Sequence, residues 1–241
     1  MVAVMAREQQ LALPVQLPDH ALFSNFVASG NEPAYAHLQR LAQAEWQPQE
    51  QFTLLFGGAG RGKTHLLCAL CESFANAGKS SIYLPLAELA NPSAASVLNG
   101  IEQYDLIALD DLDAVVAIPE WAEALFILIN RLLDKRAGYL AFAAGKSQQR
   151  LPIALADLRS RLQLAVTFQL QELNDAGKVK ALQQHAQERG LELSVEVGDY
   201  MMQRLSRDMH QLMAVLEKLD EASMAQQRRL TLPFIKQILQ V

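Results

Sequence analysis

The chain has 241 residues, 51% of them apolar and 20% charged, with a formal net charge of −5. That balance fits a soluble protein with a sizeable core. The net acidity, with no basic run longer than Arg228-Arg229, weighs against a protein that grips duplex DNA unaided. No apolar run approaches the roughly 20 residues of a membrane helix. The N-terminal MVAVMAREQQ places Arg7 and Glu8 where a signal peptide needs an apolar core, so a cytoplasmic location is expected.

In chain order, residues 1–21 contain Pro14 and Pro18 and show no clear period, which reads as a tail. Five short, nearly continuous apolar runs follow, at 52–56, 81–86, 106–109, 139–144 and 164–170. Unbroken runs of this length suit strands covered on both faces. Between them the spacing predicts helices over 65–77, stopped by Gly78, over 120–136, stopped by Gly138, and over 154–162. Alternation of strand and helix predicts a parallel five-stranded sheet in a three-layer α/β/α domain over 22–171. The pattern changes after Leu170, where strand-like runs cease. Asn174 and Asp175 can cap a helix running to Arg189, with Gly190 as its stop. Further helices are expected over 195–205 and 208–225, the latter with Leu212, Leu216 and Leu219 on one stripe, and a short one over 234–239 after Pro233. Residues 172–241 therefore read as a small all-helical domain. No internal repeat is visible.

Two stretches carry recognisable chemistry and one carries none. Cys68 and Cys71 spell C-x-x-C, but inside a predicted helix, where His65, Cys68 and Cys71 step around the axis and cannot converge on a metal. They read as small buried apolar residues. By contrast, Gly57, Gly62, Lys63 and Thr64 fit G-x-x-x-x-G-K-[ST] at every position, after an expected strand and before an expected helix. Glycines let consecutive backbone N–H groups turn inward as an anion cradle, and the helix start points its positive dipole end at the phosphates. Lys63 can neutralise β/γ oxygens and the Thr64 hydroxyl can ligate Mg²⁺. In DLIALDDL, Asp110 and Asp111 end a second apolar strand. Asp110 is expected in the Mg²⁺ shell, and Asp111 can polarise an attacking water. Two adjacent acids can also simply cap the helix that follows.

On these residues the chain resembles the DnaA-like AAA+ ATPases from about Phe23 onward. LFSNFVASGN is similar to the segment that lies over adenine in that family, with Asn25, Phe26 and Val27 at the matching positions. GGAGRGKTHLL matches the family's phosphate loop. The resemblance thus assigns Gly58, Ala59, Gly60, Arg61, Gly62, Lys63, Thr64 and His65 to a bound ADP or ATP with Mg²⁺. DLRSRL looks like the arginine-finger box and makes Arg161 a finger acting in trans; LSRDMHQL resembles the start of the sensor-2 helix and points Arg207 at the phosphates. Either arginine can instead serve locally, Arg161 on a helix's last carbonyls and Arg207 on a surface acid. Two departures matter. The sensor-1 strand end reads AFAAGKS, and Ala144 and Gly145 cannot orient a water, so weak intrinsic hydrolysis is expected. The chain also lacks a match to the family's helix-turn-helix domain, so no specific reading of duplex DNA is expected.

In the tail, QLALPV resembles the bacterial sliding-clamp binding peptide through Gln10, Leu11, Leu13 and Pro14, with Ala12 and Val15 as mild departures. Such a motif docks as an extended segment, placing leucines in an apolar groove. Together these likenesses imply a regulator that binds nucleotide, docks on the DNA polymerase III β clamp, and offers Arg161 to the initiator DnaA, stimulating hydrolysis of DnaA-bound ATP. A finger working in trans implies subunit contact, including a possible homo-oligomer. The rival reading is a helicase loader of the DnaC kind, which would hydrolyse ATP itself; a small-metabolite kinase is a more distant third.

Overall fold

The structure, a computed structural model, describes residues 21–43, 47–205 and 207–239. The elements are α1 (Glu32–Ala42), β1 (Phe52–Phe56), α2 (Lys63–Asn76), β2 (Ser81–Pro85), β3 (Leu106–Asp110), α3 (Pro119–Lys135), β4 (Tyr139–Ala144), α4 (Ala156–Leu162), β5 (Val166–Gln169), α5 (Asp175–Glu188), α6 (Val195–Arg204), α7 (Met209–Gln226) and α8 (Leu232–Leu239). The five strands form one sheet in the order β2-β3-β4-β1-β5, every pair parallel.

Side chains alternate across a strand, so each strand feeds both layers. Leu55, Leu106, Ala108, Ala141 and Ala143 meet Leu38 and Leu41 of α1 and Leu66, Leu70 and Phe74 of α2. Leu54, Ile107, Leu109, Leu140 and Phe142 meet Trp121, Leu125, Ile129 and Leu132 of α3 and Leu158 and Leu162 of α4. This is the expected three-layer α/β/α domain, and the apolar runs are continuous because both faces are covered. The last strand is shorter than its apolar run. Leu164 N–H still donates to the Arg161 carbonyl and Ala165 N–H to that of Leu162, prolonging the end of α4, so pairing with β1 begins only at Val166. Helix α1 adds a layer element that the strand-helix alternation did not predict; its Ala34, Leu38 and Leu41 stripe is buried.

The last four helices close on their own core, in which Leu182, Met201, Leu212, Leu216, Leu219, Phe234 and Ile235 are buried together. Asn174 caps α5 as the sequence suggests, accepting from Gly177 N–H; Ser194 does the same for α6 from Val197 N–H and Asp208 for α7 from Gln211 N–H. Among the described residues, no helix is long and apolar enough to cross a membrane.

Cys68 and Cys71 are buried within α2. Burial pushes the Cys68 thiol far up and that of Cys71 up to about 12, so neither presents a thiolate.

Candidate phosphate-binding site

The loop Gly57–Gly62 leaves the carboxyl end of β1 in the sheet interior and opens directly into α2. Three of its glycines have positive φ: Gly57 at 156°, Gly60 at 69° and Gly62 at 82°. At Gly62 a Cβ would lie 2.7 Å from Phe26 Cε2, and at Gly57 one would lie 2.8 Å from the Leu170 carbonyl oxygen. The loop's curvature and its close cover therefore both require glycine. Gly62→Ala is expected to destabilise the fold by about 1–3 kcal/mol, because it forces a side chain into left-handed backbone against a packed ring. The check is thermal unfolding, with a fall in Tm of about 2–4 °C per kcal/mol.

Arg61 fastens the loop from the side, its Nη1 donating to the Leu170 carbonyl at 3.1 Å. Lys63 folds back so that Nζ donates to the carbonyls of Gly57 and Gly58, each at 3.0 Å. Those bonds hold an ammonium at the mouth of the cradle, where an anionic phosphate competes well against neutral carbonyls. The Thr64 hydroxyl donates to Asp110 Oδ2 at 2.6 Å, although β1 and β3 are separated by β4. Asp110 is 1% exposed and accepts two further bonds, from the Tyr83 hydroxyl to Oδ2 at 2.9 Å and from the Asp111 N–H to Oδ1 at 2.9 Å. A hydroxyl and a carboxylate adjacent at the lip of a phosphate cradle fit Mg²⁺, the carboxylate acting through the hydroxyl or a metal-bound water. Bound there, the metal would neutralise phosphate charge.

Asp111 follows with φ 53°, an uncommon conformation for a non-glycine residue. Partial burial, then the neighbouring carboxylates Asp110 and Asp113, raise its pKa, with Lys63 opposing and Glu88 adding to the rise. Its carboxylate is thus made more basic and is exposed to solvent, the properties a water-polarising group needs. The sensor-1 strand end adjoins the loop, since Gly57 N–H donates to the Ala144 carbonyl at 3.2 Å. Gly145 N–H is taken by Asp113 Oδ1 at 2.6 Å. Ala144 and Gly145 themselves carry no polar side chain that could orient a water.

Beside the loop lies a cavity of about 310 Å³ whose walls include Asn25, Phe26, Val27 and Asn31 on one side and Leu173, Ala181, His185, Met209, His210 and Met213 of the helical domain on the other. Gly60 through His65 form its floor. Asn25 shapes the N-terminal wall by accepting the Leu22 N–H at 3.0 Å. Phe26 stacks on Tyr35 at 5.8 Å and tilts against His65 at 5.4 Å. His65 donates from Nε2 to the Leu22 carbonyl at 2.8 Å, and burial keeps its pKa low despite that bond. Asn31 clasps Gln171 in both directions: Nδ2 donates to the Gln171 carbonyl at 3.2 Å and Oδ1 accepts the Gln171 N–H at 2.7 Å. The structure thus gathers Asn25, Phe26, Val27 and Gly60–His65 around one cavity, with Asp110 bonded to its floor through Thr64.

The two arginines lie elsewhere. Arg207 does not line the cavity; it pairs with Asp175 at 3.6 Å, and its carbonyl accepts from Lys178 Nζ at 2.7 Å. Arg161 ends α4, where Nε donates to Asn130 Oδ1 of α3 at 2.7 Å and the guanidinium carbon lies 5.8 Å from the Phe126 ring centre. It therefore leans on α3 and is not spent on its own helix's terminal carbonyls. The motif Gln10–Val15 lies outside the described residues. Sequence reasoning missed Tyr83 and His185, which belong to no motif, and passed over Met209 and His210 inside LSRDMHQL, where it singled out Arg207.

Against known families, residues 17–169 match the model of the bacterial DnaA ATPase domain. The chain belongs to the DnaA-like AAA+ family. Residues 175–239 match the model described as the Hda lid domain, so this DnaA-like ATPase domain carries an Hda-type lid. An uncharacterised protein of Haemophilus influenzae is 39% identical over 231 residues, covering 96% of this chain and 98% of that one. Domain III of the Thermotoga maritima replication initiation protein DnaA superposes with a TM-score of 0.79 at 20% identity, over 94% of this chain and 98% of that one. DnaA from Aquifex aeolicus, solved with AMPPCP bound, superposes at 0.67 with 22% identity, over 86% of this chain and 66% of that one. Those two likenesses speak for the shared fold of a DnaA-like AAA+ module.

Proposed function

We propose that this DnaA-like protein is a regulator that works through someone else's catalytic centre. It binds ADP or ATP with Mg²⁺ in the cavity between the phosphate loop and the lid, docks on the sliding clamp through Gln10–Val15, and presents Arg161 to DnaA–ATP. The consequence is hydrolysis of the initiator's ATP and restraint of further initiation. The observation that carries the reading is where Arg161 sits. Strand β5 starts opposite Thr53 and ends opposite Phe56, so Arg161 lies off the amino end of the sheet while the phosphate loop leaves its carboxyl end. A guanidinium at that end serves a neighbouring molecule's phosphates better than its own.

Its surroundings support an intermolecular role. Ile127 is 40% exposed one turn before Asn130, and Leu164 is 48% exposed just after α4, leaving apolar surface beside the finger for a partner subunit to cover. The sensor-1 end, lacking a water-orienting side chain, supports weak hydrolysis by the chain itself and weighs against a vigorous helicase loader.

The reading is tested by turnover of DnaA–ATP with clamp-loaded DNA, with and without this protein. Stimulation that disappears when the clamp is omitted supports it. DNA-stimulated hydrolysis by the isolated chain, with no effect on DnaA–ATP, would favour the loader. Replacing Gln10 and Leu13 together by alanine is expected to reduce retention on immobilised clamp at least about tenfold, the scale of losing two anchors of a short linear peptide. Retention equal to that of the unaltered chain would remove the tail from the proposal.

A further inference from the structure

Three donors grip the Asp110 carboxylate. The Thr64 hydroxyl, in the first turn of α2, and the Tyr83 hydroxyl, on the edge strand β2, both donate to Oδ2, at 2.6 and 2.9 Å. The Asp111 N–H donates to Oδ1 at 2.9 Å. The sheet's register explains how Tyr83 gets there. It pairs with Ala108, two residues before Asp110, and side chains two apart on a strand share a face. Its ring packs against the core on the α2 side, where Ala108 adds only a methyl, so the hydroxyl extends along β3 to the carboxylate. An ionised carboxylate has about four acceptor positions, and these donors take three of them in a buried place.

We propose that Tyr83 is a positioning residue for the metal that accompanies nucleotide. Its hydroxyl holds the Asp110 carboxylate in the orientation that aims the Thr64 hydroxyl at the cation, and keeps that carboxylate from swinging out to ligate the cation itself. The proposal rests on the nucleotide reading of this site, although Tyr83 belongs to none of the motifs behind that reading.

The division of labour follows from which donor a cation recruits. Thr64 lies at the start of the phosphate loop's own helix, and its oxygen has a lone pair to give while its proton stays on Oδ2. Engaged that way, Thr64 pulls on the carboxylate. Tyr83 on Oδ2 and the Asp111 N–H on Oδ1 then remain as fixed points, one on each oxygen, and together they set the plane of the group. Without the Tyr83 hydroxyl, Oδ2 is tied only to the side chain that the metal is using. The carboxylate can then turn about its Cβ–Cγ bond, and Thr64 loses its orientation with it. Partners behind a metal's direct ligands act in this way, and removing one typically costs about 10–100-fold in metal affinity. Mg²⁺ is sensitive to such a loss because it demands near-ideal octahedral geometry.

The experiment measures binding of a fluorescent, non-hydrolysable ATP analogue to the full chain, with Mg²⁺ and with EDTA, and reads the ratio of the two affinities. Tyr83→Phe keeps the ring and removes only the oxygen. Its ratio is expected to fall at least about tenfold below that of wild type, with the loss confined to the Mg²⁺ arm. Thr64→Ala sets the full size of the metal's contribution. Tyr83→Phe added to Thr64→Ala should cost nothing further, since Tyr83 acts through Thr64. A merely structural hydroxyl lowers the melting temperature of Tyr83→Phe but leaves the ratio at the wild-type value, and that result would overturn the proposal. So would a further loss in the Thr64→Ala background, because Tyr83 would then act on its own. Equal wild-type affinities in the two arms remove the metal from this site, overturning the proposal while leaving nucleotide binding intact. A wild-type chain that binds no nucleotide in either arm overturns both readings.

Discussion

Arg161→Ala is expected to abolish stimulation of DnaA–ATP hydrolysis, lowering the stimulated rate by about 10³-fold or to the unstimulated level, whichever is reached first, while leaving the chain's own nucleotide affinity unchanged. The magnitude is that of a finger whose guanidinium meets charge developing on a γ-phosphate. The independence follows from topology, because Arg161 and the phosphate loop occupy opposite ends of the sheet. Arg161→Lys should recover little, since an ammonium has neither the planar fork nor an Nε to engage Asn130 Oδ1. Asn130→Ala should give an intermediate loss, as it frees the finger from its support without removing it. A parallel assay of nucleotide affinity makes the outcome decisive. If Arg161→Ala stimulates as well as wild type, Arg161 merely braces α4 against α3 and the regulatory reading loses its main support.

The second large effect is expected at Lys63. Lys63→Ala should weaken ADP binding at least about 100-fold, roughly 2.7 kcal/mol, because it removes the ammonium at the mouth of the cradle. The fold should hardly notice. The bonds lost are Nζ to the carbonyls of Gly57 and Gly58, and the exposed Gly58 carbonyl can take water in place of the donor. Thermal unfolding therefore separates the two effects. Without nucleotide the variant and wild type should melt together; with saturating nucleotide only wild type should rise, as ligand binding to the folded state dictates. A normal rise in Lys63→Ala would mean that nucleotide is held elsewhere.

How much of this was legible in the sequence depended on whether the signal was local. The phosphate loop reads directly, because its glycines, lysine and threonine act within eight consecutive residues. The apolar runs located all five strands and the change to helices after Leu170, because burial on both faces leaves an unbroken run. Helix α1 was not proposed, although Ala34, Leu38 and Leu41 keep a helical spacing behind Pro33. It follows directly on Leu22–Asn31, whose likeness to an adenine-covering segment says nothing of the helical period that begins at Glu32. Strand order was invisible, since nothing local says that β4 inserts between β1 and β3. The lid's contact with the phosphate loop shows the same limit more sharply. Arg207 carries the expected chemistry in the expected motif, yet the way Lys178 fixes its carbonyl and Asp175 takes its side chain leaves His210 facing the loop. Orientation about a helix start is set by tertiary bonds that no spacing rule contains.

The Asn31–Gln171 clasp has a mechanical consequence. It knots the strap of chain that walls one side of the pocket to the short segment from which the lid hangs. Swinging the lid away therefore has to drag that strap or break two hydrogen bonds at once. Ligand escape becomes a single concerted opening, with the doorway and its hinge moving together.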